Sequence, residues 1–187
     1  MKVVTVTGYK PMELGIFKAD DRNIQYVKQT IKRRLISLIE EGLEWILLSG
    51  QMGVEMWTGE ILLELQEEYD IKFAFIPPFL HQERRWPEPQ QHQYHRLFER
   101  ANFAQVLHNK AYEGPHQFQR KDQWLIEKSD GCIILYDEET GGSPKYFVHK
   151  AKAYQQSHSY EIVYITPFDI QETMEEMRME NPAYWEN

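Results

Sequence analysis

Short apolar runs alternate along this chain with longer stretches in which apolar residues recur at helical spacing. Lys2 to Thr7, Trp45 to Ser49, Lys72 to Ile76, Gly131 to Tyr136 and Glu161 to Ile165 read as strands, and most are apolar throughout, as strands covered on both faces are. Between the first two, Ile24, Val27, Ile31, Leu35, Leu38 and Ile39 fall on one face of a helix that Gly42 would stop. Val54, Trp57, Ile61, Leu62 and Leu65 repeat the pattern after the second strand. Tyr94 to Phe103, Phe118 to Lys128 and Tyr146 to Tyr154 give further helices, and Ala104 to His108 is a candidate short strand. The acidic stretch Met174 to Asn187 reads as a final helix, with Asn181-Pro182-Ala183-Tyr184-Trp185 at its end. Strands and helices in strict alternation predict an α/β fold, a mostly parallel sheet with helices on both faces. Its 187 residues suit a single domain over residues 1–187.

Composition narrows the function. The chain is 42% hydrophobic and carries a formal net charge of −8, which opposes the phosphate attraction that nucleic-acid binders rely on. Nucleic acid is therefore not an expected partner. The single Cys132 lies in an apolar run, where a free cysteine acts as a small core residue. No leader pattern and no membrane-spanning apolar run is present, so no membrane partner and a cytoplasmic location are expected.

Three loops at the carboxyl ends of predicted strands carry the candidate chemistry. Ser49-Gly50-Gln51-Met52-Gly53-Val54-Glu55-Met56-Trp57 runs from a strand through a glycine turn into a helix, and its free N–H groups could face an anionic ligand. Glu55 would repel a phosphate, so it suits a ribose or a sugar carbon, or is simply a favourable acid in the first turn. Trp57 lies on the apolar stripe and reads as core or as a stacking platform. Thr7-Gly8-Tyr9-Lys10-Pro11 presents a hydroxyl and an ammonium just past the first strand. In Thr140-Gly141-Gly142-Ser143-Pro144, Ser143 fits an N-cap and Pro144 the first helical position, which makes a second anion cradle. Neither glycine turn matches the dinucleotide or NTP phosphate-loop fingerprints.

The irregular stretch Pro77 to Gln93 follows a strand at the edge where open α/β sheets bind ligands, and it reads as a candidate lid. Within it, Arg84-Arg85-Trp86 could clamp a phosphate and stack a base. His92 and His95 lie near His81, but no third ligand at a telling spacing joins them, so no metal site is expected.

Thr7-Gly8-Tyr9-Lys10-Pro11, Glu13-Leu14-Gly15-Ile16-Phe17, the run from Gly42 to Glu55, Lys128-Ser129-Asp130-Gly131 and Gly142-Ser143-Pro144-Lys145-Tyr146 together resemble the YpsA family of Gram-positive bacteria. The resemblance covers nearly the whole chain. It implies a Rossmann-like fold of the SLOG superfamily, which also holds the DNA-processing protein DprA and the LOG enzymes. It further implies a nucleotide-derived ligand, NAD or ADP-ribose among the suggestions, and a role near cell division or stress response. Gly50, Gly53 and Glu55 match the family's proposed ligand turn, with Ser49, Gln51 and Trp57 flanking it, and Trp86 matches an aromatic position after the third strand. The second LOG-type signature is absent as such, because Gly141-Gly142-Ser143 lacks the glutamate that should follow.

The resulting expectation is a nucleotide-type ligand held by Thr7, Gly8, Lys10, Ser49, Gly50, Gln51, Gly53, Gly142 and Ser143, with Glu55 on a sugar. The protein would be a sensor or regulator acting through a protein partner. The alternative is an enzyme acting at an N-glycosidic bond with Glu55 as its catalytic group, and a DprA-like single-strand binder ranks last. A homodimer is the commonest assembly for such proteins.

Overall fold

The computed structural model describes residues 1–181 and residue 183. Six strands, β1 (Val3–Gly8), β2 (Trp45–Leu48), β3 (Lys72–Phe75), β4 (Phe103–Ala104), β5 (Gly131–Leu135) and β6 (Glu161–Ile165), form one sheet in the order β4-β3-β2-β1-β5-β6, with every pairing parallel. Six α-helices connect and flank them: α1 (Asn23–Glu40), α2 (Val54–Leu65), α3 (Glu88–Arg100), α4 (His116–Glu127), α5 (Lys145–Gln155) and α6 (Pro167–Glu180). The fold is α/β and Rossmann-like, as expected.

The layering follows from chain direction. Connections from β1 to β4 step one way across the sheet, and right-handed crossovers put α1, α2 and α3 on one face, where α6 returns to pack on α1. The chain then crosses back past β1 to β5, so α4 and α5 cover the other face and pack on each other. Val27, Ile31 and Leu35 of α1 and Ile61, Leu62 and Leu65 of α2 are buried on the sheet, while Ile46, Leu48, Phe73, Phe75 and all of β5 are buried between the layers. Cys132 lies in that core, where burial pushes its thiol up to about 12.

Where the strand order reverses, between β1 and β5, the carboxyl ends of neighbouring strands diverge and open the crevice that doubly wound sheets use for ligands.

Several boundaries differ from the sequence expectation. Helix α3 begins at Glu88 rather than near Tyr94 and ends at Arg100, so Phe103 is a strand residue. Pro87 and Pro89 sit at the helix start, where a missing N–H costs nothing. The short strand is Phe103–Ala104 instead of Ala104 to His108, although His108 forms an isolated bridge with Phe79. Helix α6 starts at Pro167, because Thr166 and Asp169 build a reciprocal capping box ahead of it. Of the expected chain end, Pro182, Tyr184 and Trp185 lie outside the described residues.

The first residues of the segment expected to be a lid, 77–80, are tied down. Pro77, Pro78 and Phe79 are buried, Leu107 N–H and His108 N–H donate to the carbonyls of Pro77 and Pro78, and Leu80 N–H donates to Lys110. Among the described residues no helix is long and apolar enough to cross a membrane.

Candidate functional site

The turn after β2 is built around Glu55. Gly50 and Gly53 take φ values of 76° and 92°, which L side chains rarely adopt, and the chain folds back so that the first-turn carboxylate reaches beneath its own loop. One oxygen accepts the Thr7 hydroxyl at 2.9 Å; the other accepts the Ser49 N–H at 3.0 Å, the Ser49 hydroxyl at 2.7 Å and the Gln51 N–H at 3.0 Å. A carboxylate offers about four acceptor positions, two on each oxygen; here three donors crowd one oxygen and one meets the other, on a residue that is 1% exposed. The sequence reading puts Glu55 on a ribose; in the fold its carboxylate is turned inward onto the chain's own donors. It holds Thr7 and Ser49, both buried, inside the fold.

The glycines of this turn are explained by packing. A Cβ on Gly50 would lie 2.4 Å from the Phe75 ring, and one on Gly53 would lie 2.5 Å from the Tyr9 carbonyl. Trp57, 7% exposed, belongs to the core. Among the described residues, the N–H groups of buried Gly50 and Gly53 and of half-buried Met52 have no acceptor.

The β1 and β5 loops close on each other in the crevice. Tyr9, 4% exposed, donates its hydroxyl to the Gly141 carbonyl at 2.6 Å and accepts the Asp137 N–H at 3.0 Å. Its burial raises the phenol above its ordinary value. A 3-10 turn, Pro11–Leu14, then carries Glu13 onto the Gly141-Gly142-Ser143 loop. Glu13 accepts the Ser143 N–H at 2.7 Å, the Ser143 hydroxyl at 2.6 Å and the Lys10 N–H at 2.9 Å. Partial burial alone would raise the Glu13 carboxyl, but these bonds outweigh it and hold the group below the usual glutamate value.

Contrary to the sequence expectation, Ser143 does not cap α5; Pro144 occupies the cap position, with no side-chain cap bond. Gly142, with φ 127°, lets Tyr9 approach so closely that a Cβ would meet the ring at 2.5 Å. The second anion cradle thus holds the chain's own carboxylate. The side chain of Lys10 is exposed and makes no ion pair among the described residues.

A cavity of about 630 Å³ opens beyond β3, lined by Phe79, Gln82, Arg84, Arg85 and Tyr112 among others. Gln82 joins it to the β2 turn, donating to the Ser49 and Gly50 carbonyls at 3.1 and 3.2 Å. Arg84 and Arg85 are exposed, and neither forms an ion pair among the described residues. Phe79 packs on Tyr112 and on Phe118 with ring centroids 5.2 and 5.3 Å apart, which leaves Tyr112 54% exposed at the rim. Trp86 instead stands edge-on to Tyr94 at 5.5 Å, against the core.

Tyr94 is raised above the ordinary phenol value, chiefly by burial and then by the Glu83 charge. Sequence reasoning missed Phe79, Gln82 and Tyr112. The available signal was one aromatic residue in each of two proline-containing loops, Phe79 after Pro77-Pro78 and Tyr112 ahead of Gly114-Pro115. Among the described residues no group of three or more His, Cys, Asp or Glu is placed to hold a metal.

A family model described as the YspA SLOG family matches residues 4–170. The chain belongs to this family. Relatives within it include the UPF0398 protein YpsA of Bacillus subtilis, 50% identical over 177 residues that cover 94% of this chain and 98% of that protein. A UPF0398 protein of Oceanobacillus iheyensis is 46% identical over 186 residues, 100% of both chains.

Two solved structures share the fold of this chain. DNA processing protein A from Helicobacter pylori, described with its single-stranded DNA binding mode, gives a TM-score of 0.54 at 14% identity over 95% of this chain and 81% of that one. DprA from Streptococcus pneumoniae gives 0.53 at 10% identity over 96% of this chain and 57% of that one. At these identities the likeness is one of fold.

Proposed function

We propose that this SLOG-family protein binds a nucleotide-type ligand at the carboxyl edge of β2 and β3 and acts as a sensor or regulator. The observation that carries this reading is the 630 Å³ cavity in which two arginines free of ion pairs stand beside an aromatic rim. Its volume lies in the ordinary range for small-molecule sites, about 300–1,000 Å³. Arginine's planar fork matches phosphate oxygens, and a tyrosine ring offers a face to a base.

The N–H groups of Gly50, Met52 and Gly53 supply further donors across the Gln82 link. This keeps the β2 turn of the expected site, adds the β3 loop and leaves out the β1 and β5 loops, whose Glu13 and Tyr9 already occupy the crevice. The regulatory output, in division or stress control through a protein partner, is the part that the family resemblance contributes. Buried and hydrogen-bonded to Thr7, Ser49 and Gln51, Glu55 gives no support to an N-glycosidic enzyme. A charge of −8 gives none to a polynucleotide ligand.

Thermal unfolding of the full chain with NAD, ADP-ribose or AMP tests the reading. A ligand at 100 times its Kd stabilises by about 2.7 kcal/mol, a clear rise in Tm. The Arg84→Ala, Arg85→Ala double variant is expected to lose that rise while keeping its unliganded Tm. Chromatography should show the ligand intact. No shift with any of the three at millimolar concentration, or an undiminished shift in the double variant, refutes the site.

A further inference from the structure

The two edges of the sheet are not alike. β4 is only two residues long, a length at which an edge strand offers little to pair with, whereas β6 runs for five residues without a proline, a lysine or a bulge to blunt it. We propose that β6 is a self-pairing edge: a second copy of this chain adds its own β6 antiparallel and extends the sheet across a two-fold axis at Val163. The proposal is independent of the nucleotide reading.

Backbone direction sets the pairing. The Glu161 N–H donates to the Asp130 carbonyl and the Ile165 carbonyl accepts the Tyr136 N–H, so the odd-numbered residues of β6 are turned toward β5. Ile162 and Tyr164 point their N–H and C=O groups the other way, and among the described residues none of these groups has a partner. In an antiparallel ladder, residues that face each other in this way exchange both N–H···O bonds. An axis at Val163 sets Ile162 of one copy opposite Tyr164 of the other, on both sides of the axis, and so uses every free group of the two residues.

The side chains suit a strand of the same sequence. Ile162 and Tyr164 share the face that carries α5, where the Tyr164 hydroxyl donates to Glu138, itself paired with Lys152. Across the axis each isoleucine would lie beside a tyrosine, a favourable β-branched and aromatic combination. On the other face Val163 meets its own copy at the closer, non-hydrogen-bonded position. Glu161, the one charged residue of the strand, falls opposite Ile165, so no like charges face each other. Ile162, Val163 and Tyr164 are half-buried at an edge that this pairing would cover, and Phe168, just past the strand and 66% exposed, adds apolar surface at the rim. The β2 and β3 loops lie on the far side of β1 from this edge, so the candidate ligand site stays open in both copies.

Sedimentation velocity of the full chain over a concentration series tests this. So short an edge is at the small end of specific interfaces, and a dimer dissociating at about 1–100 µM is expected. Val163→Lys and Val163→Glu each place like charges face to face at the axis, so each alone should weaken association about tenfold or more. An equimolar mixture of the two should restore it, a rescue that misfolded variants could not give. In the wild type, the Ile162 and Tyr164 amide protons should exchange about tenfold or more slowly where the dimer dominates than in dilute solution. A chain that stays monomeric throughout the series overturns the proposal. So does a dimer in which those two amides exchange at an unchanged rate, or a mixture of the two charged variants that remains monomeric.

Discussion

Replacing Glu55 with glutamine is the sharpest test of how the β2 turn is held. The amide is nearly isosteric, so packing around the side chain is preserved and the change falls on hydrogen bonding. With its carbonyl toward Ser49 and Gln51, the glutamine still accepts three bonds, now without charge assistance. Its NH2 group faces the Thr7 hydroxyl, which can turn to accept. Hydrogen bonds to a charged group contribute about 1.5–3 kcal/mol against about 0.5–1.5 for neutral ones, so three weakened bonds cost about 3 kcal/mol. For a chain of this size that corresponds to a fall in Tm of about 6–12 °C.

Glu55→Ala should do worse, because it strands the N–H groups of Ser49 and Gln51 and opens a cavity at a site 1% exposed. The assay is urea and thermal unfolding without ligand. A carboxylate reserved for ligand would behave oppositely, since groups held for function are often neutral or destabilising in the free protein. A Tm for Glu55→Gln within about 2 °C of wild type, under 1 kcal/mol for a chain this long, would refute the structural role.

Two further outcomes follow from the same edge of the sheet. Gly53→Ala would set a Cβ 2.5 Å from the Tyr9 carbonyl at a φ of 92°, so it should lose about 2 kcal/mol or more by urea unfolding, and an unchanged midpoint would contradict the close approach of the two loops. Glu13 has a folded pKa below its ordinary 4.5, so its contribution is full above 4.5 and is lost as pH falls through the lower folded value. Wild type should therefore lose stability as pH falls below 4.5, in excess of the loss in Glu13→Gln; parallel acid profiles would contradict that linkage.

The strands of the sheet interior were legible because residues buried on both faces leave no polar alternation to misread. Trp45-Ile46-Leu47-Leu48 and Gly131-Cys132-Ile133-Ile134-Leu135 lie within a residue of their expected bounds. The α3 start was not legible: Pro87 and Pro89 read as breakers, yet proline suits a first turn whose N–H groups have no helical partner. Phe103 continues a helical stripe in sequence but pairs with Ala74, a tertiary contact that overrides local spacing.

The site was legible as a set of turns and not as a set of contacts. Glycine positions announced where the backbone bends, but Ser143 looks like an N-cap until Glu13, distant in sequence, is seen to take both its donors. The two rings of the cavity, Phe79 and Tyr112, lie in separate loops with no periodicity to link them. Only the fold joins them.

Glu13 takes the Ser143 N–H ahead of α5, and Glu55 takes the Ser49 and Gln51 N–H groups ahead of α2, leaving those of Gly50, Met52 and Gly53 without an acceptor among the described residues. Each carboxylate is covalently tethered to the chain, so any free oxyanion competes for the same donors with an intramolecular rival whose effective concentration is about millimolar or higher. Inorganic phosphate and sulfate are thus at a disadvantage before any ligand is recognised. Discrimination against the small anions of the solvent is built into the backbone, and what binds must bring more than a single charge.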